Sequence, residues 1–261
     1  MAVSDPLFSL EGKTALVTGG TSGIGQMVAR GLLQRGVRTY LTGRDAARVA
    51  MMADQLSGET GGTCIGLPAD FADEAGPAAL AEQIAAQEDR LHILVNNAGT
   101  NCDGALESLT TQAWDEVLQV NLRAPVFLAR SLLPLLRAAA TAGDPARIVN
   151  VGSIGGLHVP NWEAHPYGAS KAAIHHMTRS LAKSLGKDNI TVNAIAPGPF
   201  PSGMHDTESE QTRKNIATYV PLQRAGQAED AQGAVIFLTS RAGAYVNGHV
   251  IPLDGGYIGA L

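Results

Sequence analysis

Tyr167 and Lys171 are the side chains of this sequence whose types and spacing best suit proton transfer. Lying four residues apart, they share one face of any helix that contains them. A phenol with a pKa of about 10 is a poor proton carrier at neutral pH, but an adjacent ammonium favours the phenolate and lowers that pKa. Such a tyrosine could protonate a developing alkoxide or deprotonate an alcohol. Because the same spacing is common in surface pairs, the prediction needs support from other residues.

Ser153 and Asn121 supply that support. Ser153 follows a strand predicted at 147–151, and the carboxyl ends of parallel strands line the ligand crevice of an open α/β sheet. There Ser153 and Tyr167 could both hydrogen-bond one carbonyl oxygen and polarise it. Asn121 lies within a predicted helix although Asn is a poor helix former, and its amide could hold a water beside Lys171. The alternative for Asn121 is an ordinary position on a helix surface.

A glycine-rich segment, TGGTSGIG at 18–25, predicts a dinucleotide site. Its glycines would let the backbone turn tightly and bring N–H groups against a pyrophosphate, and the N-terminus of the following helix adds a favourable dipole. An ordinary strand–helix turn is the alternative, but the predicted strand before the segment and the helix after it favour the nucleotide site. The predicted contacts are Gly19, Thr21, Ser22, Gly23, Ile24 and Gly25.

Arg44 follows the second predicted strand and favours NADP(H) over NAD(H) as the cofactor. An acidic residue at this point would accept hydrogen bonds from a ribose 2′-hydroxyl, whereas an arginine would pair with a 2′-phosphate. Asp45 is then expected to cap the next helix. The alternative for Arg44 is a solvated loop position, and Ser22 stands in the glycine loop where a second basic residue would have strengthened the prediction.

Two further segments are predicted to contact the cofactor. One follows the third predicted strand, where a carboxylate could meet the adenine amine. The other, NNAG at 96–99, follows the fourth strand, where small residues allow close approach to the ribose and asparagine amides can tie loops together. Simple turn chemistry is the alternative for the asparagine pair. The predicted contacts in the two segments are Asp70, Phe71, Asn97, Ala98 and Gly99.

The elements that must position these residues alternate between strands and helices. Apolar runs predict strands at 14–18, 39–42, 64–68, 91–95, 147–151, 190–195 and 249–253. Helical periodicity predicts helices at 24–33, 46–56, 78–87, 113–140, 167–185 and 228–238. This order predicts an α/β fold, a doubly wound parallel sheet of about seven strands with helices on both faces. No linker or repeat divides the sequence, so we expect one domain over 1–261.

Two stretches depart from the regular pattern. Pro125 and Pro134 lie inside the helix predicted at 113–140, so a kink or an early end is expected there. Residues 200–221 show no regular periodicity, and long irregular insertions in compact domains are usually functional. We expect a substrate loop there. The candidate substrate contacts are His165, Trp162 and Met204, besides Ser153 and Tyr167.

The composition narrows the function classes. The chain has 261 residues, of which 45% are hydrophobic and 16% are charged, and its formal net charge is −5. These values exclude a disordered chain, and no basic stripe is present for nucleic acid or an anionic membrane. Two cysteines, no signal-like amino terminus and no long apolar run predict a cytoplasmic protein. The histidines lack carboxylate or thiol partners at ligand spacing, so no metal is expected.

Taken in order, TGGTSGIG, NNAG, Asn121, Ser153, YGASK and the Pro197–Gly198 pair resemble the short-chain dehydrogenase/reductase family over nearly the whole chain. Within that family the sequence is most similar to 3-oxoacyl-[acyl-carrier-protein] reductases. The resemblance implies a Rossmann-type NAD(P)-binding domain. The catalytic tetrad that it implies is Asn121, Ser153, Tyr167 and Lys171. The further cofactor contacts that it implies are Tyr167, Lys171, Pro197, Gly198, Phe200 and Ser202.

The activity implied by the resemblance is hydride transfer between NADP(H) and a ketone or secondary alcohol, with a 3-oxoacyl thioester as one candidate substrate. Tyr167 would be the acid/base and Ser153 would polarise the carbonyl. Lys171 would lower the pKa of Tyr167 and bind the nicotinamide ribose, while Asn121 would hold a relay water. Pro199 and Pro201 would stiffen the start of the substrate loop.

Two alternatives to this activity stay open. One is an NAD-linked dehydrogenase of a sugar, polyol or steroid. The other is a nucleotide-binding regulatory protein without useful catalysis, against which an intact tetrad argues. The resemblance also implies a homotetramer or homodimer, because members of the family usually pair the helices predicted here at 113–140 and 167–185 between subunits.

Overall fold

Seven parallel strands form one sheet in the computed structural model, which describes residues 5–159, 162–201, 207 and 209–260. The strands are β1 (Thr14–Val17), β2 (Arg38–Gly43), β3 (Cys64–Pro68), β4 (Ile93–Asn96), β5 (Ala146–Val151), β6 (Ile190–Pro197) and β7 (Val250–Leu253). Their order across the sheet is β3-β2-β1-β4-β5-β6-β7. The predicted doubly wound parallel sheet is confirmed, and the order reverses between β1 and β4, where ligands bind in such sheets.

Helices cover both faces of this sheet. They are α1 (Gly23–Leu33), α2 (Ala46–Thr60), α3 (Gly76–Ala85), α4 (Thr111–Leu118), α5 (Ala124–Ala139), α6 (His165–Leu185), α7 (Glu210–Tyr219) and α8 (Ala228–Thr239). The side chains of successive strand residues point to opposite faces of the sheet. Ile93 and Val95 pack in the cluster under α1, α2 and α8, whereas Leu94 packs under α3, α5 and α6. Apolar residues therefore occur on both sides of the strands, as a sheet covered on both faces requires.

A π-helical turn, Gln119–Arg123, joins α4 to α5. Pro125 has no N–H, so it cannot donate to the Asn121 carbonyl four residues earlier as an α-helix would need. The helix predicted at 113–140 is therefore interrupted by the π turn just before Pro125, and it continues beyond Pro125 as α5. Pro134 lies inside α5, which continues to Ala139.

The region 200–221, predicted to be irregular, contains a helix. Ser209 caps α7 by accepting a hydrogen bond from the Thr212 N–H over 3.3 Å. Only Ile216 of this helix is buried, because most of its other side chains are polar. A single buried position cannot produce the apolar periodicity that identifies a helix in sequence.

None of the helices in the described part of the chain could span a lipid bilayer.

Candidate active site

A cleft of about 920 Å³ crosses the carboxyl ends of the strands, where β1 and β4 lie side by side. A volume of this size suits a bound small molecule or cofactor. Most of the residues predicted from the sequence line it. Those residues are Gly19, Thr21, Ser22, Gly23, Ile24, Arg44, Asp70, Phe71, Asn97, Ala98, Gly99, Ser153, Trp162, Tyr167, Lys171, Pro197, Gly198 and Phe200.

The glycine-rich loop is shaped by its backbone and by Asn97. Gly19 and Gly23 have φ angles of 64° and 54°, values that residues other than glycine rarely adopt. A Cβ at Gly19 would lie 2.9 Å from the Ala98 backbone, so glycine also allows the two loops to pack closely here. The Asn97 amide donates to the carbonyls of Thr18 and Gly19 over 3.0 and 2.9 Å. The asparagine therefore ties the two loops together.

Gly25 does not line the cleft, contrary to the prediction for the glycine loop. It is buried in α1, and a Cβ there would collide with the Asn97 side chain and the Gly19 carbonyl. Its role is close packing of the helix against the loop, which keeps the N-terminus of α1 beside the cleft.

Two arginines stand at the nucleotide end of the cleft. Arg44 is exposed on the lining, and Asp45 caps α2 by accepting the Arg48 N–H over 3.0 Å, as predicted. Arg48 lies in the first turn of α2 and also lines the cleft. Sequence reasoning missed Arg48, although its position four residues after Arg44 and beside a correctly predicted cap was a usable signal.

Ser153 is buried at the end of β5, with an exposed fraction of 8%. Its Oγ accepts the N–H of Gly155 over 3.0 Å, which leaves the hydroxyl hydrogen available for another acceptor. The Ser153 hydroxyl lies near the hydroxyl of Tyr167 and lowers the pKa of Tyr167. The two hydroxyls are therefore close enough to share one ligand oxygen.

Lys171 is buried behind Tyr167, with an exposed fraction of 5%. Its Nζ lies 5.5 Å from the centroid of the Tyr167 ring and donates to the Val151 carbonyl over 2.9 Å. Burial lowers the pKa of Lys171 to about 8. An ammonium that can lose its proton so near neutral pH is typical of functional sites.

The pKa of Tyr167 itself is raised, and the main cause is burial. The nearby Ser153 hydroxyl lowers this pKa and the charge of Asp103 raises it. The net pKa is raised because desolvation outweighs the contact with Ser153, and the lowering of this pKa by Lys171 stays a prediction. A protonated phenol at neutral pH suits an acid that donates a proton.

Asn121 lies in the π turn, buried and outside the cleft lining. Both N–H bonds of its amide are used, toward the Thr100 carbonyl at 2.9 Å and Ser170 Oγ at 3.0 Å. The amide oxygen accepts the Thr100 N–H over 2.8 Å. The amide is thus not free to hold a water, contrary to expectation. The main-chain carbonyl of Asn121 receives no N–H from Pro125, the residue four positions later. This carbonyl is therefore the group of Asn121 suited to hold a water.

The segment after β6 closes the inner end of the cleft. Gly198 donates to the Leu253 carbonyl over 2.9 Å, and Gly226 donates to the Pro199 carbonyl over 2.9 Å. Phe200 is buried with its ring against Gly226, where a Cβ would collide with it. The start of the substrate loop is therefore held firmly. The predicted contacts Ser202 and Met204 lie outside the described residues.

A family model for enoyl-(acyl carrier protein) reductase matches residues 19–258. The chain belongs to the short-chain dehydrogenase/reductase family. A rhamnolipids biosynthesis 3-oxoacyl-[acyl-carrier-protein] reductase of Pseudomonas aeruginosa is 45% identical, over 97% of this chain and 98% of that protein. A 2-dehydro-3-deoxy-D-gluconate 5-dehydrogenase of Dickeya dadantii is 35% identical, over 96% and 97%. The family predicted from the ordered motifs is confirmed.

Solved structures of the short-chain dehydrogenase/reductase family superimpose closely on the chain. The RhlG/NADP active-site complex of P. aeruginosa has a TM-score of 0.92 at 45% identity and covers 97% of this chain and 99% of its own. A gluconate 5-dehydrogenase of Burkholderia cenocepacia, in complex with NADP and tartrate, has a TM-score of 0.89 at 28% identity, over 98% and 99%. The predicted Rossmann-type fold is thereby confirmed.

The predicted substrate contact of His165 is not seen in this short-chain dehydrogenase/reductase, and a different histidine lines the cleft. His165 is exposed at the start of α6 and does not line the cleft, whereas His158 does. His175 is buried behind Ser153, where its Nε2 accepts the Ser153 N–H over 3.5 Å, and burial lowers its pKa to about 4. The described residues hold no cluster of three or more potential ligands arranged for a metal ion.

Three aromatic residues of the cleft are among those that escaped prediction. His158, Tyr219 and Tyr257 come from three separate elements and meet only in the folded chain. No local spacing connects them, so the sequence offered no signal for their proximity.

Proposed function

We propose that this chain is an NADP(H)-dependent reductase of ketones, which also oxidises secondary alcohols in the reverse direction, and that a 3-oxoacyl thioester is its substrate. The observation that carries the proposal is the arrangement of one cleft. Ser153, Tyr167 and Lys171 line one part of it, and the glycine-rich loop with Arg44 and Arg48 lines another.

The nucleotide part of the cleft fits NADP(H). Because Gly19 has no side chain, a pyrophosphate can approach the backbone N–H groups of the loop closely. The N-terminus of α1 favours the negative charge of the pyrophosphate. Arg44 and Arg48 would hold the 2′-phosphate, and Asp70 would meet the adenine. Pro197 and Gly198 would meet the nicotinamide amide. NADPH, when bound, supplies the hydride.

The chain's own residues supply the proton and the orientation. The Ser153 hydroxyl, whose oxygen already accepts the Gly155 N–H, donates its hydrogen to the substrate carbonyl. Tyr167 donates to the same oxygen and transfers its proton as the carbonyl carbon accepts the hydride, so the products are an alcohol and a phenolate. Lys171 stabilises that phenolate by its charge. The Asn121 carbonyl would hold the water through which Lys171 regains a proton.

Sugar dehydrogenases among the relatives raise a second candidate function, and the charges around the cleft oppose it. Asp103 and Glu163 line the part of the cleft that adjoins Tyr167, and the described residues there include no arginine and no lysine besides Lys171. The carboxylate of a sugar acid would therefore meet like charges. A neutral ketone would meet none.

An assay of NADPH and NADH oxidation tests the proposed function. We expect the largest kcat/KM for NADPH with neutral 3-oxoacyl thioesters, ahead of small ketones and keto-sugar acids. A larger kcat/KM for a keto-sugar acid would favour the sugar dehydrogenase. Binding of NADPH without turnover across the panel would favour the regulatory protein.

Replacing both Arg44 and Arg48 by Ser should raise the KM for NADPH and leave the KM for NADH nearly unchanged. Each charge-assisted hydrogen bond to a phosphate contributes about 1.5–3 kcal/mol, so the expected rise is at least tenfold. Arg90→Ser, at an exposed arginine outside the cleft lining, is the control. An equal rise in both KM values would show that neither arginine discriminates between the cofactors.

We also propose a homotetramer or homodimer in the cytoplasm, with α5 and α6 at the subunit contact. Phe127 on α5 is 36% exposed. The guanidinium carbons of Arg123 and Arg130 lie 5.5 and 4.6 Å from its ring centroid. Exposed aromatic and arginine side chains are enriched at protein interfaces. Sedimentation velocity measures the assembly directly, and a monomeric mass would refute it.

A further inference from the structure

Three aromatic rings meet at one side of the cleft. His158 follows β5, Tyr219 ends α7, and Tyr257 follows β7, and all three line the cleft. The ring centroids of His158 and Tyr257 are 5.1 Å apart, and those of Tyr219 and Tyr257 are 6.2 Å apart. These separations are within the range of favourable aromatic pairs. We call His158, Tyr219 and Tyr257 the aromatic wall.

Hydrogen bonds and close packing hold the segments that carry Tyr257 and Tyr219. Asp254 accepts the N–H groups of Gly256 and Ile258 over 2.9 Å each, which fixes the turn that carries Tyr257. Leu222, just past α7, donates to the Gly255 carbonyl over 3.1 Å. A Cβ at Gly255 would lie 2.6 Å from the Val220 side chain, so the two segments pack closely. This part of the aromatic wall is thus preformed.

The surface beside the aromatic wall includes apolar side chains of α7, and its described residues include no lysine or arginine. Thr212, Ile216 and Tyr219 recur at helical spacing, so one face of α7 lines the cleft. Val220 continues that face. Tyr219 keeps 38% of its surface exposed, which leaves apolar area for a ligand to cover. Glu163, which also lines the cleft, adds negative charge.

We propose that the aromatic wall binds the hydrocarbon chain of the substrate, so that the enzyme selects uncharged acyl chains by their length. The proposal rests on the proposed ketone reduction and adds to it the group that discriminates among 3-oxoacyl substrates. Burial of each methylene contributes about 0.8 kcal/mol, and a preformed surface can use that energy without ordering itself first.

The test measures kcat/KM for a series of neutral 3-oxoacyl N-acetylcysteamine thioesters of increasing chain length. For the parent enzyme we expect a rise of up to about fourfold per methylene over the first members of the series. The ratio of kcat/KM between a long and a short substrate should fall at least tenfold in Tyr257→Ser. Tyr219→Ser should lower the same ratio and serves as a second variant if Tyr257→Ser does not fold.

Two controls complete the test. Tyr257→Phe keeps the ring and should keep the parent's ratio, and so should Tyr245→Ser, at a fully exposed tyrosine outside the cleft lining. A parent enzyme whose kcat/KM does not depend on chain length, or serine variants that keep the parent's ratio, would overturn the role of the aromatic wall while leaving ketone reduction intact. A parent enzyme that reduces none of the series would overturn the proposed function itself.

Discussion

Tyr167→Phe should reduce turnover by about 10³-fold while NADPH binding is preserved. A positioned general acid contributes between about 10² and 10⁴ in rate, and the substitution removes the one hydroxyl that can transfer the proton. The phenylalanine ring keeps the packing over Lys171, so the fold should not change. Stopped-flow or steady-state measurements of kcat, combined with NADPH titration by fluorescence, give the two readouts.

The control for this variant is Tyr245→Phe, at a fully exposed tyrosine outside the cleft lining, and it should behave as the parent. A Tyr167→Phe enzyme with near-parental kcat would show that another group supplies the proton. Loss of NADPH binding in the same variant would instead indicate a disrupted site and would leave the acid role unsupported.

Lys171→Met should lower kcat by at least about a hundredfold and should also change how stability depends on pH. In the folded chain the pKa of Lys171 falls from 10.5 to about 8 because the ammonium is buried. This depressed value means that the parent carries a stability penalty that is fully present below about pH 8. The penalty fades as pH rises toward the unfolded pKa of 10.5.

Methionine carries no charge, so its variant escapes that penalty. The shift corresponds to roughly 3 kcal/mol, and the stability of Lys171→Met relative to the parent should decrease by about that amount between pH 7 and pH 10.5. Chemical denaturation at several pH values measures the difference. Lys183→Met, at an exposed lysine of the same helix, should show no such trend, and a flat difference for Lys171→Met would mean that its ammonium is not desolvated.

The nucleotide part of the site was predictable because it is local in sequence. The loop at 18–25 needs glycines where the backbone is left-handed or closely approached, and Asp45 caps the helix that carries Arg48. Such requirements act over a few residues. They are therefore visible without knowledge of the fold.

The remaining features depend on distant contacts. The raised pKa of Tyr167 follows from burial by the whole cleft, and the Asn121 amide is engaged by Thr100 and Ser170, which lie in other elements. Helix α7 escaped prediction because it buries only Ile216. Residue spacing alone cannot report contacts of this kind.

The π turn before α5 sets the angular relation between two helical segments. An α-helix advances about 100° per residue, so the extra residue in the wide turn rotates everything after it. The chain can therefore direct Asn121 toward Ser170 and still bring Leu128 and Leu132 into the core. Removing one residue from 119–123 would restore regular α-helical winding. Either Asn121 would then turn away from Ser170, or Leu128 and Leu132 would turn toward solvent. A stretch that looks like uninterrupted helix is thus a place where chain length is tightly constrained.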